Sequence, residues 1–79
     1  MPKFFFDVHD GNHHHVDMIG TDLSDQDAAR AEGTRAIAEM AGDYIPDDGP
    51  QRNMAIHIRD ALGKPLLEST LNFKIRMAG

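Results

Sequence analysis

Two rhythms of apolar residues run along this chain. Over residues 23–45 they recur at the spacing of one helical face. Ala29, Gly33, Ala36, Ile37, Met40 and Tyr44 share a stripe, while Arg30, Glu32, Arg35, Glu39 and Asp43 fall largely outside it. No other long run has this period, so it predicts a helix over residues 25–45, the one segment able to cover a sheet. Ser24 has the composition of an N-cap, and Asp27 makes an aspartate version of the capping box. Glu32 with Arg35, and Arg35 with Glu39, are spaced for helical ion pairs. Pro46 stops the helix and residues 47–50 form a loop. Gly33 sits near the centre of the stripe, where glycine costs about 1 kcal/mol relative to alanine. It reads as a point of close approach to the layer beneath, with a merely tolerated glycine as the alternative.

The second rhythm is alternation, the mark of strands with one buried face. Phe4, Phe6 and Val8 point one way, and Lys3, Phe5, Asp7 and His9 the other. Met54, Ile56 and Ile58 alternate with Ala55, His57 and Arg59, and Leu67, Leu71 and Phe73 alternate with polar positions. Strands are predicted over residues 3–9, 13–19, 53–59 and 65–73. Asp10, Gly11 and Asn12 carry turn chemistry, as do residues 60–63. A two-residue turn at Gly11 and Asn12 would set Val8 opposite His15 and mix the faces. A three-residue loop, with Asn12 left-handed, pairs His9 with His13, Phe6 with Val16 and Phe4 with Met18, and keeps apolar partners together. That register is expected. It puts Asp7, His9, His13 and His15 on the face away from the helix and turns His14 inward.

Two hairpins joined by one helix make an α+β domain, a two-layer ββαββ arrangement with a four-stranded antiparallel sheet and the helix on one face. Strand orders 2-1-3-4, 2-1-4-3 and others satisfy it. At 79 residues the chain reads as a single domain, 1–79. A core this small supplies only about 3–5 kcal/mol of net stability. There is no cysteine to staple it, so self-association is a natural source of further stability. No apolar run is long enough for a membrane span or a signal peptide, and the expected location is cytoplasmic.

The net charge of −5 argues against nucleic-acid binding through phosphates. Basic residues gather late, at Arg52, Arg59, Lys74 and Arg76, and read chiefly as a solvated face. Histidines carry the sharpest chemistry. His9, His13 and His15, with Asp7 as ligand or supporting acceptor, are the candidate metal residues, for zinc or nickel. Adventitious metal binding and a plain solvated or interface face are the alternatives. Imidazoles titrate near ~6.5, so association through that face would depend on pH. The uncovered face would also carry Phe5, His57 and Leu66, the candidate interface residues for a homodimer or another protein partner. Asp47 and Asp48 are a loop carboxylate pair, and Ser24 and Ser69 lack a nucleophile's surroundings. An enzyme is not expected.

The opening Met1–Val8 sequence MPKFFFDV, Asp10-Gly11, the helix start at Asp22-Leu23-Ser24 with Ala28, Ala29, Arg30 and Glu32, and then Ile56, Asp60 and Gly63 resemble the DUF6894 family. These are small domains of unknown function common in alphaproteobacteria. The resemblance covers roughly the whole chain, rests on turns and core positions, and implies a fold but no catalytic residues. Residues 13–15, three histidines in a row, stand outside the family pattern. A weaker likeness to HicB-type antitoxins, which also lead an early hairpin into an acidic, alanine-rich helix, suggests an antitoxin-like regulatory partner as a further reading. The main expectation is a non-enzymatic protein-interaction module that self-associates, with a metal-binding protein as the alternative.

Overall fold

The computed structural model describes residues 1–11, 13–44 and 51–76. Its elements are β1 (Lys3–Asp10), β2 (His13–His15), β3 (Thr21–Asp22), α1 (Gln26–Tyr44), β4 (Gln51–Asp60) and β5 (Pro65–Lys74). The sheet is antiparallel, in the order β2-β1-β4-β5, with β3 also paired to β1. Among the described residues it is an α+β fold with one helix, but the sheet has five strands rather than four. Asn12, residues 45–50 with Pro46 and the Asp47/Asp48 pair, residues 77–79, and the side chains of Asp43, Tyr44 and Arg52 lie outside the described residues.

The helix forms as its stripe predicts. Ala29, Gly33 and Ile37 are buried, and Ala36, Met40 and Ala41 are half-buried against the core. Asp25, one residue beyond the expected Ser24, is the cap. Its Oδ1 accepts the Ala28 N–H at 2.8 Å, while its carbonyl accepts Ala29 N–H at 3.2 Å. On the solvent side Arg35 bonds both Glu32 and Glu39, the second at 2.7 Å. The helix lies over β4 and β5. Gly33 marks the closest approach, since a Cβ there would stand 2.9 Å from Ile58 Cδ1 and 3.4 Å from Ser69 Oγ. Phe4, Met54, Ile56 and Ile58 complete the buried core, with Phe6, Val8, Leu67 and Leu71 packed on it. The alternation in β1, β4 and β5 therefore sorts inside from outside as expected. The second hairpin turns where expected too. The Asp60 carbonyl accepts Gly63 N–H at 3.0 Å, and its carboxylate accepts Leu62 and Lys64 N–H at 2.9 Å each.

The first hairpin differs from expectation. Val8 faces His15, His9 faces His14 and Asp10 faces His13. This is the two-residue turn, with Gly11 at φ +60°. Matching apolar faces presupposed that Val16 and Met18 are buried, but they are 43% and 84% exposed. The second strand stops at His15. Residues 16–20 leave the sheet, and pairing resumes where Thr21 meets Phe4. The strand predicted over residues 13–19 is thus paired only at 13–15, and a further short strand, Thr21–Asp22, follows the excursion.

Candidate functional site

The sheet face away from the helix collects a set of polar contacts between strands. β1 supplies Phe5, Asp7 and His9, and β4 supplies His57 and Arg59. β5 adds Glu68 opposite His57, and β2 adds His14 opposite His9. Pairing of β1 with β4 sets Asp7 diagonal to Arg59 and His9 diagonal to His57.

Arg59 is the hub. Its Nε donates to Asp7 Oδ2 at 2.9 Å and its Nη2 to Asp7 Oδ1 at 3.4 Å. Nη2 also donates to the Asp17 carbonyl at 2.9 Å, and the guanidinium lies 4.6 Å from the centre of the Phe5 ring. Asp7 and Arg59 side chains are only 14% and 26% exposed, so little solvent screens the pair. Asp7 Oδ1 accepts a further bond from Asp17 N–H at 2.9 Å. Burial alone would raise the Asp7 pKa. The Arg59 hydrogen bond, the Asp17 amide and the Arg59 charge together hold it below its usual value.

Asp17 closes the only gap in the ladder along this edge of β1. Between Phe4, paired to Thr21, and Val8, paired to His15, one residue turns its backbone toward the missing strand. That residue is Phe6, and its N–H donates to Asp17 Oδ2 at 3.1 Å. Asp17 Oδ1 accepts Ile19 and Gly20 N–H, both at 3.0 Å. Burial would raise this carboxyl as well, but the amides of Gly20, Ile19 and Phe6 bring it below its ordinary value. Gly20 has φ +79°, and a Cβ there would fall 2.7 Å from Lys3 Cγ and 3.0 Å from Phe5 Cε2. A side chain cannot occupy that position without moving the excursion off Phe5.

Three imidazoles meet beside this network. His9 and His14 stack, with ring centres 4.0 Å apart and planes at 19°. His57 tilts against His9 with centres at 4.4 Å, and its Nε2 is 3.9 Å from Glu68 Oε1. With Arg59 and Leu66 they line an open depression of about 510 Å³. The expected metal set of His9, His13, His15 and Asp7 is not assembled. The one-residue change in register places His13 and His15 at positions facing the other side, and brings His14 to His9 instead. Asp7 is committed to Arg59. Stacked rings direct their nitrogens along near-parallel planes rather than at a common point, and no metal-holding group of three or more ligands occurs among the described residues. Of the expected interface residues, Phe5 is half-buried beneath Arg59, His57 is half-buried between His9 and Glu68, and Leu66 sits at the bulge opposite Ile58 and Arg59. Arg59, expected on a solvated face, is largely withdrawn from solvent and paired with Asp7.

Burial lowers the His9 pKa, and the charges of His14 and His57 lower it further, against the pull of Asp7 and Glu68. A depressed folded pKa means the unfolded chain binds the proton more readily. The contribution to stability is present above ~6.5 and is lost as pH falls through the folded value. Urea midpoints should therefore drop between pH 7.5 and pH 5.5, and His9→Gln should flatten that drop. Equal slopes in the two proteins would refute the coupling.

Asp17, His14 and the Arg59–Asp7 pair were not legible as site residues in the sequence. For Asp17 a signal existed, an aspartate three residues before a glycine, which is Asx-turn chemistry. No helix among the described residues is long and apolar enough to cross a membrane. No curated protein and no solved structure matches the chain. The family model described as a domain of unknown function (DUF6894) matches residues 3–72, spanning β1 to within two residues of the end of β5. The turns and core positions that carried the resemblance are those that build this fold, and the chain belongs to the DUF6894 family.

Proposed function

We propose that this domain is a non-enzymatic protein-interaction module that self-associates. The observation that carries the reading is the sheet face opposite α1, which among the described residues only the 16–20 excursion partly covers, at Phe5 and Arg59. Helix α1 lies on one side only, and the other side presents Leu66, His57 and the His9–His14 stack around an open depression. Such a face is shaped for contact with another surface rather than for enclosing a substrate. The Asp7–Arg59–Asp17 network fixes that face before any partner arrives, which lowers the ordering cost of binding. A domain with so small a core also gains stability from a second copy. Light scattering on the eluting peak of a size-exclusion column should give twice the chain mass at tens of micromolar. A clean monomer at several hundred micromolar would refute self-association.

A further inference from the structure

Strand β5 ends the sheet, and among the described residues no strand pairs with its outer edge. One hydrogen bond reveals which of its backbone groups face outward. Gly11 N–H donates to the Asn53 carbonyl at 3.1 Å, so Asn53, Ala55, His57 and Arg59 direct their backbone groups toward β1. Met54, Ile56 and Ile58 must direct theirs toward β5, where they face Leu71, Ser69 and Leu67. Those three residues are then satisfied by β4. Glu68, Thr70, Asn72 and Lys74 are left with N–H and C=O groups aimed away from the sheet. From Leu67 to Phe73 the edge has neither a proline nor a register shift to blunt it.

An identical strand is the occupant that fits this edge. In an antiparallel pair, outward-directed residues must face outward-directed residues, so a two-fold axis has to pass through a residue and not between two. Two axes keep the middle of the strand paired. With the axis at Thr70, Glu68 faces Asn72, and Lys74 faces Leu66. With the axis at Leu71, Glu68 faces Lys74 on both sides of the centre and Thr70 faces Asn72. On the helix side Leu71 then meets its own copy, and Leu67 meets Ile75, which is 57% exposed in the single chain. The second arrangement pairs opposite charges twice and covers an exposed isoleucine.

We propose that two copies join edge to edge through β5, antiparallel, with the two-fold axis at Leu71. This inference rests on the self-association proposed above but moves the contact from the sheet face opposite α1 to the β5 edge. The axis is perpendicular to the sheet, so both helices lie on one side. Both histidine-lined faces lie on the other, merged into one larger platform.

Two sets of variants test it on the full chain. The protein has no cysteine, so a single introduced thiol reports on one register. Across the axis, Leu71 and its copy form a non-hydrogen-bonded pair with Cα atoms about 4.5 Å apart, within disulfide range. Leu71→Cys should give a covalent dimer under mild oxidation, and Thr70→Cys should not. In the second set, Glu68→Lys should weaken association about tenfold, and Glu68→Lys with Lys74→Glu should restore it. Both positions are exposed, so this set does not depend on the core tolerating a change. A wild-type dimer in which Thr70→Cys cross-links at least as fast, or in which the charge swaps leave association unchanged, overturns the β5 register but not self-association. A wild-type monomer overturns both.

Discussion

Leucine at position 33 should remove most of the stability of this domain. A Cβ alone would lie 2.9 Å from Ile58 Cδ1, and Ile58 is 1% exposed, so its side chain would have to repack within the core. Three further carbons must lift α1 off β4 and β5. Overpacking of this kind costs about 3 kcal/mol or more at its upper end, against a net stability of about 3–5 kcal/mol for a core this size. Gly33→Ala is milder, because the gain in helix propensity of about 1 kcal/mol partly offsets the clash. Gly42 provides the contrast. Nothing lies within 4 Å of a Cβ there, so Gly42→Ala should be neutral or stabilise by up to about 1 kcal/mol. Urea unfolding followed by far-ultraviolet circular dichroism measures all three. A Gly33→Leu protein with a wild-type midpoint would mean that the helix does not rest on Ile58.

The second large effect is expected at Arg59. Arg59→Met keeps much of the stem but leaves Asp7, 14% exposed, without its counter-charge. Breaking a fully buried pair costs about 3–5 kcal/mol. This one retains some solvent, so about 2–3 kcal/mol is expected. The loss should spread beyond the pair, because Arg59 also holds the Asp17 carbonyl and covers Phe5. Amide hydrogen exchange at Ile19 and Gly20 should quicken, since their acceptor Asp17 loses its anchor. Pairing the change with Asp7→Asn should cost less than the two single changes added together. The acid limb gives an independent reading. The folded Asp7 pKa lies below the unfolded value of ~3.9. The pair therefore stabilises above that value, and its contribution disappears as pH falls through the folded one. Arg59→Met should show a flatter loss of stability below pH 4. An unchanged acid limb together with unchanged exchange at Ile19 would refute the hub.

Much of the layout could be read from spacing alone, and the particular residues show why. Gly33 and Ile37 declared themselves because a helical stripe has a single solution. Phe4 with Phe6, and Ile56 with Ile58, did so because a period of two has only two phases and one was apolar. The histidines failed for the same reason. A strand slipped by one residue exchanges its faces completely, so one wrong residue in the first turn sent His13 and His15 to the wrong side and His14 away from His9. The register argument assumed that Val16 and Met18 seek the core, and it passed over the spacing of Asp17 and Gly20, which pulls the chain out between them. The Arg59–Asp7 pair joins residues 52 positions apart. It becomes visible only once β1 and β4 are known to be neighbours, and several strand orders had been open.

The loop formed by residues 16–20 is stitched to β1 before and after it, at His15 and at Thr21. Whatever lies between these two anchor points can change length or identity without shifting the ladder on either side, as long as Asp17 and Gly20 keep their posts. Met18 and Ile19, 84% and 82% exposed, are therefore positions where a substitution should cost the fold little. They are also where an engineer could graft a foreign epitope onto this scaffold at little cost to its folding.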